Sequence, residues 1–209
     1  MFKHGISRKD HIVHENKKFN SGKWKNTVGR KVYRDKDIDL IKQSFGDLVE
    51  KVLCIGARHV SEVNHFKDNF KEVVGIDIVE NSPGILKIDA HDMLDHFKER
   101  HFDFVYSSHS LEHMVDAEKV IKNIRAVSKI GCLITLPIFN ETYNSHCTLF
   151  DICKFLHENK DHDNKALEKR IHPSDEIFND FKNLGNYTIE YFKVSKDWNE
   201  FTAIFRWDK

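Results

Sequence analysis

Apolar residues follow two rhythms along this chain. The runs VLCIG (52–56), VVGI (73–76), FDFVY (102–106) and CLITL (132–136) are almost continuously apolar, as in strands covered on both faces. Elsewhere the apolar positions fall at helical spacing, with Ile38, Ile41, Phe45 and Leu48 inside Asp37 to Glu50, and Val63, Phe66 and Phe70 inside Val60 to Phe70. The pattern predicts strands at Lys51 to Ile55, Glu72 to Asp77, Ile85 to Asp89, Phe102 to Tyr106 and Ile130 to Leu136. A short helix is expected at Asp92 to Glu99 and a helical pair across Leu111 to Ser128. Strands alternating with helices imply a parallel sheet wound on both faces.

Beyond Pro137 the texture changes. Ile138 to Thr148 is polar and aromatic, helices are predicted at Leu149 to Glu158 and Ser174 to Leu184, and Asn159 to Lys165 reads as an exposed connector. Residues 138–185 are therefore expected to form a helical lid on the substrate side. Tyr187 to Val194 and Glu200 to Trp207 read as two strands at hairpin spacing. They close a domain spanning 37–209.

The 209 residues, 40% hydrophobic and 32% charged, suit one domain with a substantial core. No apolar run approaches a membrane span and the first residues lack a secretory signal, so a cytoplasmic protein with no membrane association is expected. Cys54, Cys132, Cys147 and Cys153 form no CxxC pair, which indicates neither a disulfide framework nor a zinc knuckle. The formal net charge of zero conceals an asymmetry, because residues 1–36 hold eleven Lys or Arg against Asp10, Glu15 and Asp35. This basic arm, with Phe19, Trp24 and Tyr33, could fold over an anionic substrate, touch nucleic acid, or be a solvated leader.

In an open parallel sheet the ligand lies across the carboxyl ends of the strands where the winding reverses. The turn after the first strand reads Gly56, Ala57, Arg58, His59, Val60. A dinucleotide needs further glycines where its pyrophosphate meets the backbone and where helix meets strand, and side chains crowd those places here. Gly56 still permits a tight turn, and the following helix start can receive a smaller anion such as a carboxylate. Asp77 ends the second strand twenty-one residues after Gly56, near the spacing at which an acidic side chain takes ribose hydroxyls. A phosphate-free adenosine joined to an amino acid meets both constraints, as S-adenosylmethionine does.

KVLCIGARHVSEV, EVVGIDI, KIDAHDML, FDFVYSSHSLEHMVD and GCLITLPI together resemble the successive motifs of the class I S-adenosylmethionine-dependent methyltransferases, over about residues 50–137. The resemblance implies a three-layer Rossmann-like α/β fold whose seven-stranded, mostly parallel sheet has an antiparallel last strand. By that similarity Gly56 and Ala57 pass the methionine part of the cofactor, Asp77 binds the ribose, and Ile78 lies against the adenine. Asp89, Ala90 and His91 sit at the adenine edge, and Ser107, Ser108 and His109 line the floor near the sulfonium. Two departures stand out: Cys54 replaces the family's acidic residue in the first strand, and Arg58 and Val60 replace two glycines. The methionine amino group must then find another partner, such as a backbone carbonyl. Arg58 is a candidate partner for the methionine carboxylate, or else a solvent-facing side chain.

Methyl transfer is an in-line displacement, so alignment and exclusion of water do most of the work. For a hydroxyl acceptor a base helps, and His109, His146 and His113 are the candidates. Each could equally be a hydrogen-bonded scaffold residue. His109 and His113, with Glu112 beside them, have a spacing that zinc sites use, but no third ligand is evident and no metal is expected. SSHS stands where base methyltransferases of this family carry an Asn/Asp-Pro-Pro-aromatic tetrapeptide, which disfavours nucleic acid as substrate. A small or medium polar acceptor is expected, with the basic arm favouring an anionic one such as a sugar derivative, nucleotide sugar or other glycan precursor, methylated at oxygen rather than nitrogen. The rival expectation is a catalytically silent methyltransferase-like domain serving as a partner subunit or scaffold. Oligomeric state is left open.

Overall fold

The computed structural model describes residues 7–20, 30–57, 59–79, 83–138, 150–159, 175–195 and 200–208. Helices α1 (Arg8–Asn20) and α2 (Arg30–Phe45) precede β1 (Lys51–Ile55), α3 (Val60–Lys67), β2 (Glu72–Asp77) and β3 (Ile85–Lys87). Then follow α4 (Met93–His96), β4 (Phe102–Ser108), α5 (Ala117–Val127), β5 (Ser128–Pro137), α6 (Asp151–Glu158), β6 (Tyr187–Ser195) and β7 (Glu200–Trp207). The strands form one seven-stranded sheet in the order β3-β2-β1-β4-β5-β7-β6. The first five pair in parallel, and β7 runs antiparallel to both β5 and β6. This is the expected three-layer Rossmann-like sheet.

Alternation along β1 shows how the layers form. Leu53 and Ile55 join the core beneath α5 and α6, whereas Val52 and Cys54 join the one beneath α2 and α3. Both sets are almost fully buried, so every residue of the strand from Val52 onward must be apolar or small. In α5, Val120, Ile121, Ile124 and Val127 are all buried, giving the helix the one-sided stripe that holds it to the sheet. A pair that crosses layers fixes α2: the buried Tyr106 hydroxyl of β4 donates to Asp37 at 2.6 Å.

The arm is the main departure from the expected element map. It contains all of α1, and α2 begins at Arg30, seven residues before the helix expected at Asp37. The first turns of both helices lack an apolar stripe, so periodicity gave no signal there. The helix expected over Asp92 to Glu99 is shorter. Ala90–Asp92 is a single 3-10 turn capped by the Asp89 side chain, and the helix stops at His96 because Phe97 turns extended. Phe97 then packs edge-on against Phe102 at 5.0 Å. Glu176–Leu184 is a 3-10 rather than an α-helix.

Where β5 meets β7, Gly131 has no room for a side chain: a Cβ would lie 2.1 Å from the Phe205 carbonyl oxygen. Gly46 is in the left-handed region (φ +54°) with nothing within 4 Å of such a Cβ. Gly131→Ala is therefore expected to cost about 3 kcal/mol or more, through forced separation of two paired strands. Gly46→Ala should cost only about 1 kcal/mol of backbone strain. Urea unfolding midpoints of the two variants check the difference.

Candidate functional site

The winding reverses between β1 and β4, so their carboxyl ends diverge and leave a crevice. Gly56, at φ +69°, turns the chain out of β1, and the Gly56 and Ala57 N–H groups both donate to the Ile76 carbonyl of β2, at 2.9 and 3.1 Å. A Cβ on Gly56 would lie 2.5 Å from Cβ of Ser110. Ser110 is itself tied down, its hydroxyl donating to the Ile55 carbonyl at 3.2 Å and sharing a hydrogen bond with the Ser107 hydroxyl at 2.8 Å. The glycine is thus demanded twice, by the turn and by the neighbouring loop.

A cavity lies over this junction. Of the residues expected at the cofactor, Gly56, Asp77, Ile78, Asp89 and Ala90 line it together, as do His109 and His113 from the loop after β4. Ala57, His91, Ser107 and Ser108 are not on its lining. Ala57 packs in the core beneath α2 and α3, and Ser107 is buried behind Ser110. Arg58 and His146 lie outside the described residues. Asp77 is buried, with one carboxylate oxygen accepting the Val79 N–H at 2.9 Å.

Asp89 is more heavily engaged. One oxygen accepts from the His91 backbone N–H at 2.9 Å and meets His91 Nδ1 at 2.5 Å. The other accepts from Nε of Arg8 on α1 at 2.5 Å. His91 is buried and its Nε2 accepts the Asp116 N–H at 3.1 Å. A backbone N–H can only donate, so the proton of a neutral His91 ring sits on Nδ1, facing Asp89. Asn123 of α5 donates to the carbonyls of both Ala90 and His91. His91, expected at the adenine edge, instead acts from behind, holding Asp89.

Seven residues on the lining were not anticipated from the sequence: Ile55, Ile76, Ile88, Ser110, Met114 and, from α1, His11 and Glu15. Arg8, His11 and Glu15 recur at the i, i+3, i+7 spacing of one helical face. Arg8 pairs with Asp89 and Asp92 beyond β3, while His11 and Glu15 are 4% and 5% exposed. The helix covers the crevice and leaves a cavity of only about 40 Å³. A nucleoside therefore needs α1 to move outward, since ligand sites are several hundred Å³.

A second site-edge arrangement centres on His109, which adopts a left-handed backbone (φ +50°) unusual for a non-glycine residue. Its N–H donates to the Thr135 carbonyl at 3.0 Å. Its Nε2 meets Glu200 of β7 at 2.9 Å, and its Nδ1 is 3.8 Å from the buried Glu112. Glu200 also lines a separate cleft of about 360 Å³ between α2 and the β6–β7 hairpin, with Lys36, Asp39, Tyr191, Lys193 and Thr202. The His109–Glu200 pair thus stands between the two spaces. Among the described residues, no group of three or more His, Cys, Asp or Glu could hold a metal ion.

The residues fit S-adenosylmethionine in kind. A carboxylate ends β2, apolar Ile78 and Ile88 flank it, and among the described residues no arginine or lysine lines the cavity. A family model described as a methyltransferase domain matches residues 23–177, which is 155 of the 209 residues. The chain belongs to the methyltransferase-domain family. Solved structures carry the same fold. 1,6-Didemethyltoxoflavin-N1-methyltransferase from Burkholderia thailandensis, bound to 1,6-didemethyltoxoflavin and S-adenosylhomocysteine, is 10% identical, with a TM-score of 0.62 over 98% of this chain and 92% of that one. Magnesium protoporphyrin IX methyltransferase from Synechocystis, bound to S-adenosylhomocysteine, is 14% identical, with a TM-score of 0.55 over 87% and 84%. The [4+2]-cyclase SpnF is 12% identical, with a TM-score of 0.55 over 83% and 80%. No curated protein sequence matches the chain.

Burial pushes the Asp89 carboxyl upward, but the side-chain and backbone hydrogen bonds of His91 and the Arg8 bond outweigh this and hold it at about 2. A folded-state value below the unfolded one means that the stabilisation is complete above the unfolded value, near 4, and is lost as pH falls from there through about 2. Asp89→Asn should therefore be less stable than the parent protein by about 2 kcal/mol at neutral pH. That gap should close between about pH 4 and pH 2, as read by denaturant unfolding across the range.

Proposed function

We propose that this methyltransferase domain transfers a methyl group from S-adenosylmethionine to a small or medium polar, anionic acceptor, such as a sugar derivative, nucleotide sugar or glycan precursor, at oxygen in preference to nitrogen. The observation that carries the cofactor half of this reading is that Asp77 and Asp89 face one cavity above the Gly56 turn. Asp77 holds the ribose hydroxyls and Asp89, fixed by His91, faces the adenine edge. When bound, the cofactor supplies an electrophilic methyl group on a sulfonium.

The protein's part is alignment, exclusion of water by α1, and removal of one proton. His109 is placed for the last task. Glu200 accepts from its Nε2–H, which leaves the Nδ1 lone pair to take the proton of an acceptor hydroxyl, while both Glu200 and Glu112 stabilise the imidazolium that forms. The polar cleft beside Glu200 supports a hydrophilic acceptor. Its volume, about 360 Å³, is in the range of small-ligand sites, and its lining sets Lys36 and Lys193 beside the carboxylates of Asp37, Asp39 and Glu200.

A second reading, a domain that does not transfer methyl groups, draws on the side chains at 58 and 60 and on the occurrence of this fold in a cyclase. The two readings separate in solution. S-adenosylhomocysteine at saturation should raise the melting temperature by about 5–10 °C, and Asp77→Ala should remove the shift. Labelled methyl should pass from S-adenosylmethionine into a member of a panel of sugar acids and nucleotide sugars. With that acceptor, His109→Ala should slow transfer by about 10²- to 10⁴-fold while leaving the melting shift intact. Stabilisation without any transfer across the panel would favour the second reading.

A further inference from the structure

The helix that covers the crevice is tied to one of the carboxylates beneath it. Oδ1 of Asp89 accepts both the His91 backbone N–H at 2.9 Å and the His91 Nδ1–H at 2.5 Å, which uses both of its lone pairs. Oδ2 is the oxygen left for a ligand, and it accepts from Nε of Arg8 at 2.5 Å. The same guanidinium reaches across to Asp92, so it bridges two carboxylates beyond β3. With Arg8 seated there, the Asp89 side chain is 10% exposed.

A guanidinium N–H and the 6-amino group of an adenine are the same kind of donor to a carboxylate oxygen. Both seek Oδ2 of Asp89. The obstruction continues along α1, whose next two turns bring His11 and Glu15 onto the same cavity. The space left, about 40 Å³, holds a few waters but no purine beside the guanidinium. The hold is nevertheless a shallow one. The Arg8 side chain is 41% exposed, and an ion pair open to water to that extent releases at low cost.

Resting on the assignment of this cavity to S-adenosylmethionine, we propose that α1 is an autoinhibitory cover and Arg8 its latch: the guanidinium takes the Asp89 oxygen that the adenine amino group needs, so the cofactor and the latched helix exclude each other. A bound cofactor is covered by α1 only after the helix has shifted outward with Arg8 off Asp89. The measured affinity is then that of the open crevice reduced by the fraction of molecules in which Arg8 has let go. Loosening Arg8 raises that fraction without touching the cofactor's own contacts.

Calorimetric titration of the full chain with S-adenosylhomocysteine tests this. Arg8→Ala removes the latch, and Asp92→Asn weakens it from a position off the cavity lining. Arg8→Ala should bind about three- to tenfold more tightly than the parent protein, the gain expected when a partly exposed charge contact no longer competes. Asp92→Asn should gain by a smaller factor, and the double variant should match Arg8→Ala, because both substitutions break one contact. Unchanged or weaker binding by Arg8→Ala would overturn the proposal, and so would gains that add in the double variant. Amide hydrogen exchange across Arg8–Asn20 gives a second readout that needs no variant. S-adenosylhomocysteine should speed exchange of α1 in the parent protein; unchanged or slower exchange would sink the exclusion. If the parent protein binds no S-adenosylhomocysteine, the cofactor assignment falls and the latch with it, whereas binding that Asp77→Ala abolishes and Arg8→Ala leaves unchanged removes the latch alone.

Discussion

The mouth of this domain is set by how closely the chain leaving β1 approaches the chain leaving β4. At Gly56 a single added carbon would sit 2.5 Å from Ser110, a separation that real side chains do not tolerate. Ser110 cannot retreat easily, because its hydroxyl is spent on the Ile55 carbonyl and on Ser107. The same turn sends the Gly56 and Ala57 N–H groups to the Ile76 carbonyl, one residue before Asp77. The position of the β2 carboxylate therefore follows from the β1 turn, and the glycine kept at 56 has a structural reason that holds whatever stands at 58 and 60.

A chain of hydrogen bonds runs from that mouth to its cover. Asp116 at the start of α5 fixes the His91 ring, His91 fixes Asp89, and Asp89 with Asp92 holds Arg8 of α1. The first links are buried and the last is partly open to water, since the Arg8 side chain is 41% exposed. Ion pairs at such exposure contribute little net stability. The arrangement keeps the carboxylate rigid while letting the helix above it leave at low cost, as a cavity of this size requires of anything that admits a nucleoside.

The sheet was legible in the sequence because β1, β2, β4 and β5 are covered on both faces and so read as unbroken apolar runs. Gly56 and Asp77 were legible because their spacing repeats that of a sheet that binds ligands at its switch point, and Asp89 through the resemblance of the surrounding motif. The covering helix was not. Arg8, His11 and Glu15 share a face, but that face is polar and meets carboxylates and a cavity instead of a core, so apolar periodicity is blind to it. Of the arm's Lys and Arg residues, Arg8 is used internally, on Asp89 and Asp92. Glu200 was missed because nothing local to the start of β7 refers to His109. They meet only because β7 inserts antiparallel beside β5, bringing its first residue to the carboxyl edge.

The departure at Cys54 has a packing reason of its own. A carboxylate at position 54 would stand among Val52, Phe66 and Tyr106, where an ionised group is costly unless paired, whereas a thiol packs there as a small apolar group.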